Sequence, residues 1–316
     1  MTTTSSKLQK IIAAGHWAVT SECGPPRDGR PDVVEHKVNL IKDYVDAINV
    51  TDNQTAVVRQ CSLAACIRIR LMGQEPILQM VTRDRNRIAI QSDLLGATSF
   101  GINNVLCLTG DHQRFGDHPN AANVFDMDST RLINTVKTMR DDGKLLSGFE
   151  MREGRPQMFI GAAENPFADP FEIRVLRLAK KVAAGAQFIQ TQCIYNMEKF
   201  KLWMKMVRDV GLHEKVAILA GLTPMKNVGM AKYMKNRVPG MDVPDWIIKR
   251  LGSFPKEQQT EEGIKILLEQ IEELKQEEGI RGFHIMAIEW EEKVPEIVQR
   301  AGLYPRPSVN GGNGGS

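Results

Sequence analysis

The side chains of this 316-residue chain that could do chemistry stand at the ends of short apolar runs. Glu22 closes the run 16–22, Thr51 follows Ala47–Val50, and Gln79 lies in Pro76–Val81. Thr109-Gly110-Asp111 follows Asn104–Leu108, Ala163-Glu164-Asn165 follows 157–162, and Gln192 follows 188–191. The last two runs, 216–219 and 282–288, lead into Ala220-Gly221-Leu222-Thr223 and Glu289. Two carboxylates on non-adjacent runs, with hydroxyls, amides and small residues, suit a flat polar heterocycle read by hydrogen bonds. They do not spell a Ser-His-Asp or Cys-His arrangement. The five cysteines are scattered without CxxC or Cys/His ligand spacing, so no metal is expected.

Between these runs the apolar period lengthens from two to three or four. Val34, Val38 and Ile41 mark one helical stripe, Leu63, Ile67 and Leu71 another within 54–72, and Ile88, Ile90, Leu94 and Leu95 a third. Further helices are predicted over 130–140, behind the capping residues 126–129, and over 170–184, 197–210 and 291–300. Eight strand-like runs each followed by a helix demand crossovers and a parallel sheet. The fold class predicted is α/β, a single (β/α)8 TIM barrel over residues 1–308, with its chemistry at the strand carboxyl ends. A short helix at 5–14 precedes the first strand, and 143–156 reads as a hairpin or lid. A helical insertion within 225–279, ending in the charged helix 260–278, precedes the last strand. The Gly/Asn/Ser-rich stretch 309–316 is expected to be a disordered tail. A doubly wound sheet is the alternative, but no GxGxxG follows the first strand.

A net charge of +3 without a dense basic run argues against a nucleic-acid partner. No apolar run reaches membrane length and the first residues lack a signal peptide's apolar core, so no membrane span is expected. With unpaired thiols, this predicts a cytoplasmic protein.

Glu22-x-x-Pro25-Pro26-Arg27, Val50-Thr51, Leu108-Thr109-Gly110-Asp111, Lys181-x-x-Ala184-Gly185-Ala186 and Thr191-Gln192 occur in this order at barrel-unit spacing. In them, and from about Val19 to Leu303, the chain resembles the methylenetetrahydrofolate reductase family. These are flavin-dependent barrels that reduce 5,10-methylene-tetrahydrofolate to 5-methyl-tetrahydrofolate. The resemblance implies Glu22 as the general acid for N10, Asp111 as a catalytic carboxylate between flavin and pterin, and Gln192 as a reader of the pterin edge. Glu22 and Asp111 would both also bind substrate. For the cofactor, FAD with FMN as the alternative, it implies contacts from Thr51, Gln79, Thr109, Gly110, Asp111, Phe125, Asp128, Ala163 and Lys181. Each residue also has a plainer role: Glu22 paired with Arg27, Asp111 or Asp128 as a cap, Gln192 as a buried amide, Lys181 as a solvated helix lysine.

The chain departs from the family pattern at four places. Gln79 stands where relatives often have His, Thr109 where many have Arg, Val228 where an aromatic follows strand seven, and Trp290 where a basic residue follows strand eight. These departures resemble the branch found in anaerobes. They leave NAD(P)H or an accessory iron–sulfur protein as the implied electron donor, within a homo- or hetero-oligomer. Two other readings use the same residues: a pterin-binding barrel passing a methyl group to a corrinoid protein, and a non-catalytic partner subunit of a one-carbon complex.

Overall fold

Eight parallel strands pair in chain order and close on themselves in the computed structural model, which describes residues 6–309. They are β1 (Ala18–Cys23), β2 (Ala47–Val50), β3 (Pro76–Val81), β4 (Asn104–Leu108), β5 (Phe159–Glu164), β6 (Phe188–Cys193), β7 (Ala217–Leu222) and β8 (Ile280–Ile285). The helices are α1 (Lys7–Ala13), α2 (Pro31–Ile41), α3 (Ser62–Leu71), α4 (Arg87–Ser99), α5 (Ser129–Asp141), α6 (Ile173–Ala184), α7 (Met197–Asp209), α8 (Val228–Arg237), α9 (Asp245–Gly252), α10 (Lys256–Lys275) and α11 (Val294–Arg300). The expected (β/α)8 barrel is the fold. Only α1, α8 and α9 lie outside the eightfold repeat. α8 and α9 form a satellite core with Met225 and Val243, whereas α10 buries Ile264, Leu267 and Ile271 against the barrel like its sister helices.

Period-two alternation decides what fills the barrel. Its floor is Ala18, Ala47, Ile77, Leu106, Phe159, Phe188 and Ala217, sealed by Leu8 and Ile11 of α1. Phe159 and Phe188 stack with ring centroids 4.8 Å apart. One step up, the lining turns polar on β1, β2, β3, β6 and β8, with Thr20, Asn49, Gln79, Gln190 and His284 all buried, and stays apolar on β4, β5 and β7. One step further stand Glu22, Thr51, Ala163 and Gln192, at the mouth. The candidate residues thus share one face because they share strand parity with the floor.

Several boundaries differ from expectation. The helix expected over 54–72 is broken: a 3-10 turn at Gln54–Ala56 is followed by extended chain, and α3 begins only at Ser62. Asn53, Thr55 and Ala56 take positive φ, which a right-handed helix cannot continue. β5, β6 and β7 each run two or three residues beyond their apolar runs, so Glu164 and Gln192 lie within strands rather than after them. β8 instead starts and ends earlier, which leaves Met286–Ile288 in the following loop. The excursion 143–156 is hairpin-like, with one antiparallel bridge and an ion pair of 2.9 Å between Lys144 and Glu150. Of the expected tail, Val309 packs against the barrel floor, and 310–316 lie outside the described residues.

Across the base, Arg306 reaches Asp46 at 2.5 Å and the Trp17 carbonyl at 2.5 Å, while Asp46 also accepts the Val19 N–H. The Asp46 side chain is fully buried. Removing one partner of such a pair strands the other charge in low dielectric. Asp46→Asn is therefore expected to cost about 3–5 kcal/mol in urea unfolding; a loss below about 1 kcal/mol would mean the strap is dispensable.

Candidate active site

The turn after β3, Thr82-Arg83-Asp84-Arg85-Asn86, organises the mouth. Arg83, although only 3% exposed, donates Nη1 to the Asp111 carbonyl at 3.0 Å and Nη2 to the Asn53 carbonyl at 3.2 Å, and pairs with Asp84 at 2.6 Å. One guanidinium so ties the tips of β2, β3 and β4. Beneath it Asp52, nearly fully buried, accepts the Val81 N–H at 2.9 Å and both terminal nitrogens of Arg85. Burial opposes the Arg85 charge, but Asp52 and then Asp93 outweigh it and hold its proton more tightly than water would. Gly110 sits at φ +89°, and a Cβ there would press on Val81 and Arg83 at 3.1–3.3 Å, so glycine is required for the β4 tip to pass under Arg83.

The tips enclose a cavity of about 520 Å³ lined by Gln79, Thr109, Gly110, Asp111, Ala163, Lys181 and Gln192. Seven residues expected from the sequence are thus brought to one place. Glu22 lines a smaller neighbouring cavity of about 100 Å³, and Gln54 forms the wall common to both. Thr51, Phe125 and Asp128 line neither cavity. Asp128 Oδ1 instead accepts the Arg131 N–H at 2.7 Å as the cap of α5, which is its plainer reading, and Phe125 is held at φ +40° before that helix.

Hydrogen bonding divides the expected residues into two groups. Thr109 Oγ1 accepts the Ser129 N–H, Gln192 Oε1 accepts the Cys193 N–H, and Lys181 Nζ lies 2.7 Å from Glu164 and 2.5 Å from the Ala163 carbonyl. Lys181 is accordingly buried, not the solvated lysine of the plain reading. The others are free. Thr51 Oγ1 is buried without a partner, and among the described residues no hydrogen bond engages the side chains of Gln79, Asp111 or Glu22. Arg27 pairs with Asp117, so the Glu22–Arg27 pair does not form, and the Glu22 carboxylate has only His284 Nε2, at 3.7 Å, within ion-pairing range among the described residues. Thr51 and Gln79 are buried, and a buried polar group is seldom left unpaired without a purpose; Glu22 is half-buried and Asp111 exposed beside them.

A flavin suits this lining: Gly110 and Ala163 are small, Thr51 is an orphaned hydroxyl, and Lys181, Arg174 and Arg177 bring positive charge to the same wall. The charge missing at Thr109 stands one strand away as Arg83. The basic residue missing at Trp290 has a counterpart in Lys226, whose Nζ lies 5.1 Å over the Trp290 ring. Val228 is the first residue of α8 and is partly buried in its satellite core. Sequence reasoning placed Glu164 at a strand tip without giving it a role, and passed over Asp52, Arg174 and Arg177. Glu164 alone carried a signal, an acidic residue continuing an apolar run.

Cys23 and Cys193 flank this end of the barrel, and burial pushes both thiols up to about 12. They are neutral and inert at working pH. At about pH 8 the folded protein should take up iodoacetamide only at the exposed Cys61, read by peptide mass spectrometry; labelling of Cys193 would mean that the satellite core under α8 and α9 opens.

The sequence model of the family described as methylenetetrahydrofolate reductase matches residues 7–302. Methylenetetrahydrofolate reductase 2 of Schizosaccharomyces pombe is 24% identical over 237 residues, 72% of this chain and 36% of its own length. Methylenetetrahydrofolate reductase (NADH) 1 of Arabidopsis thaliana is 24% identical over 242 residues, 74% of this chain and 40% of its own. The chain spans less than half the length of these curated relatives. Among solved structures, a Clostridium thermocellum protein whose description has it binding two copies of 5-methyl-5,6,7,8-tetrahydrofolic acid superposes with a TM-score of 0.61 at 13% identity. The match covers 93% of this chain and 97% of that one, and it shows a shared fold.

Proposed function

The chain belongs to the methylenetetrahydrofolate reductase family, and from that premise we propose that it reduces 5,10-methylene-tetrahydrofolate to 5-methyl-tetrahydrofolate, with Glu22 as the general acid. The observation that carries the reading is the convergence at the mouth of two carboxylates, Glu22 and Asp111, that among the described residues no lysine or arginine pairs, with the unengaged Gln79 amide and the orphaned Thr51 hydroxyl beside them. Opening the five-membered ring of the substrate requires a proton at N10. Glu22 can supply it, because its side chain is only 15% exposed and no lysine or arginine holds it as a carboxylate. Asp111 is solvent-facing and free to accept hydrogen bonds from the amino and ring N–H groups of a pterin, and it favours positive charge developing there. Gln192 lines the same cavity with its oxygen fixed by the Cys193 N–H, and among the described residues its amide nitrogen has no hydrogen bond.

A flavin, bound by Thr51, Thr109, Gly110, Ala163 and Lys181, would supply the hydride. Phe125 and Asp128 are left out of that set, since neither lines the cavity; Thr51 does not line it either, but is kept for its buried hydroxyl without a partner at the β2 tip. Lys181 serves through its pairing with Glu164, which fixes the ammonium at the cavity wall. Among the described residues no helix is long and apolar enough to cross a membrane. The departures at Val228 and Trp290 favour an accessory iron–sulfur protein over NADH as the donor, and weak NADH oxidation by the isolated chain beside fast reduction by a low-potential donor would support that.

Two measurements test the proposal. The purified protein should carry, or gain on reconstitution, flavin absorbance in the blue. Protein that stays colourless and flavin-free yet binds methyl-tetrahydrofolate would point to methyl transfer instead. Glu22→Gln should slow folate reduction by about 10²-fold or more at unchanged flavin content, whereas an unaltered rate would remove the acid role.

A further inference from the structure

Among the described residues no lysine or arginine lies within ion-pairing distance of Glu22, and its one titratable neighbour at that range is His284 on β8, with Nε2 3.7 Å from Glu22 Oε1. The imidazole is almost completely buried, in the polar middle layer directly below the mouth. Its other nitrogen, Nδ1, is 2.9 Å from Thr20 Oγ1. Thr20 Oγ1 also accepts the Gln190 Nε2–H at 3.2 Å. Gln190 is in turn locked to Asn49 by two reciprocal amide hydrogen bonds of 2.6 and 3.0 Å. Thr20 accepts from Gln190 on one lone pair, and among the described residues its single O–H proton has no acceptor other than Nδ1, so the hydroxyl donates to Nδ1. A neutral ring then carries its proton on Nε2, facing Glu22.

We propose that His284 is a positioning residue for the acid step, held in the Nε2–H tautomer by the Asn49–Gln190–Thr20 chain so that it supports the Glu22 carboxylate. This rests on Glu22 being the acid. In that step the Glu22 carboxyl proton passes to N10, whose bond to the bridging carbon breaks, and the bond pair stays on N10. The carboxylate left behind gains the Nε2–H as a donor, and solvent later returns the proton.

Other charges near Glu22 do not substitute for this contact. Lys37 from α2, Arg59 from the loop after β2, and Glu289 and Glu291 after β8 line the cavity beyond it. Lys37 is paired with Glu291 at 2.8 Å and Glu289 at 3.5 Å, so the two cations and two carboxylates balance. β2 and β7 bring no titratable side chain, and Cys23 of β1 and Cys193 of β6 are neutral thiols.

The test is the pH profile of flavin-reduced holoenzyme reacting with methylene-tetrahydrofolate in single turnover, where electron supply does not limit. Activity should fall on the alkaline side as Glu22 loses its proton. In His284→Ala that limb should move up by about one pH unit, because the carboxylate has lost its donor. In His284→Gln, whose amide N–H reaches the same place, it should stay near the wild-type position. Nitrogen NMR of the wild-type imidazole should show Nε2 protonated and Nδ1 bare, a readout that needs no variant to fold. A limb unmoved or moved down in His284→Ala, or the opposite tautomer, overturns the role of His284 and leaves Glu22 as the acid. A Glu22→Gln protein with full rate and an intact alkaline limb overturns the acid reading beneath it.

Discussion

The hydrogen bonds that close the polar middle layer of the barrel are the constraint on which the mouth depends. Thr20, Asn49, Gln190 and His284 are buried between an apolar floor and the open end, where an unpaired amide or imidazole would cost about 1–3 kcal/mol each. They satisfy one another, so the layer is rigid where apolar side chains alone would permit several packings. The next inward residues, Glu22, Thr51 and Gln192, are positioned by that rigidity. The floor below, with its stacked phenylalanines under α1, provides the apolar burial that lets the barrel tolerate a polar storey.

Above the middle layer the balance reverses, and the chain accepts strain. Asn53, Thr55, Ala56, Phe125 and Glu289 are the non-glycine residues at positive φ among those described, and all five lie in loops at the mouth. Each conformation costs on the order of 1 kcal/mol and persists only where neighbours over-determine it. Arg83 does so for the β2 tip, through the Asn53 carbonyl, and its own carbonyl accepts the Val124 N–H beside Phe125. Gly116 does so from the far side, lying so close to the Ala56 carbonyl that no Cβ could fit. Ion pairs that would be weak on a surface hold these loops here because water is excluded from Arg83 and Asp52.

Much of this was legible in the sequence, for a physical reason. Period two fixes which residues face inward, so Glu22, Thr51, Ala163 and Gln192 could be placed on one mouth without coordinates. The same rule carried more than was taken from it. Thr20–Glu22, Asn49–Thr51 and Gln190–Gln192 are polar pairs at spacing two within otherwise apolar runs, and that pattern marks a polar interior layer. The reading of tips alone passed over Thr20, Asn49 and Gln190. The break at Asn53–Ala56 was not legible, because its residue types permit a helix and only the docking of 113–116 against it forces the left-handed turns. The Arg83 and Asp52 contacts join three strand tips, which no periodicity encodes.

Charge in this mouth belongs to a place rather than to a sequence position. Position by position, Thr109 and Trp290 read as two lost cations. In space, Arg83 stands against the Gly110 tip, its charge shared with Asp84 at 2.6 Å, and Lys226 stands over the Trp290 ring, so a guanidinium returns from β3 and an ammonium from the loop after β7. A field at a cavity depends on distance and burial, and is indifferent to which strand bears the guanidinium. Arg83 can take over because Gly110 leaves room for it, and it is fixed there by the Asn53 and Asp111 carbonyls. The cation is therefore coupled to the geometry of the tips in a way that an arginine at position 109 would not be. Thr109, released from carrying charge, caps the approach to α5 through the Ser129 N–H instead. The substitution and its compensation form one arrangement, in which the β3 turn both braces the mouth and sets its field.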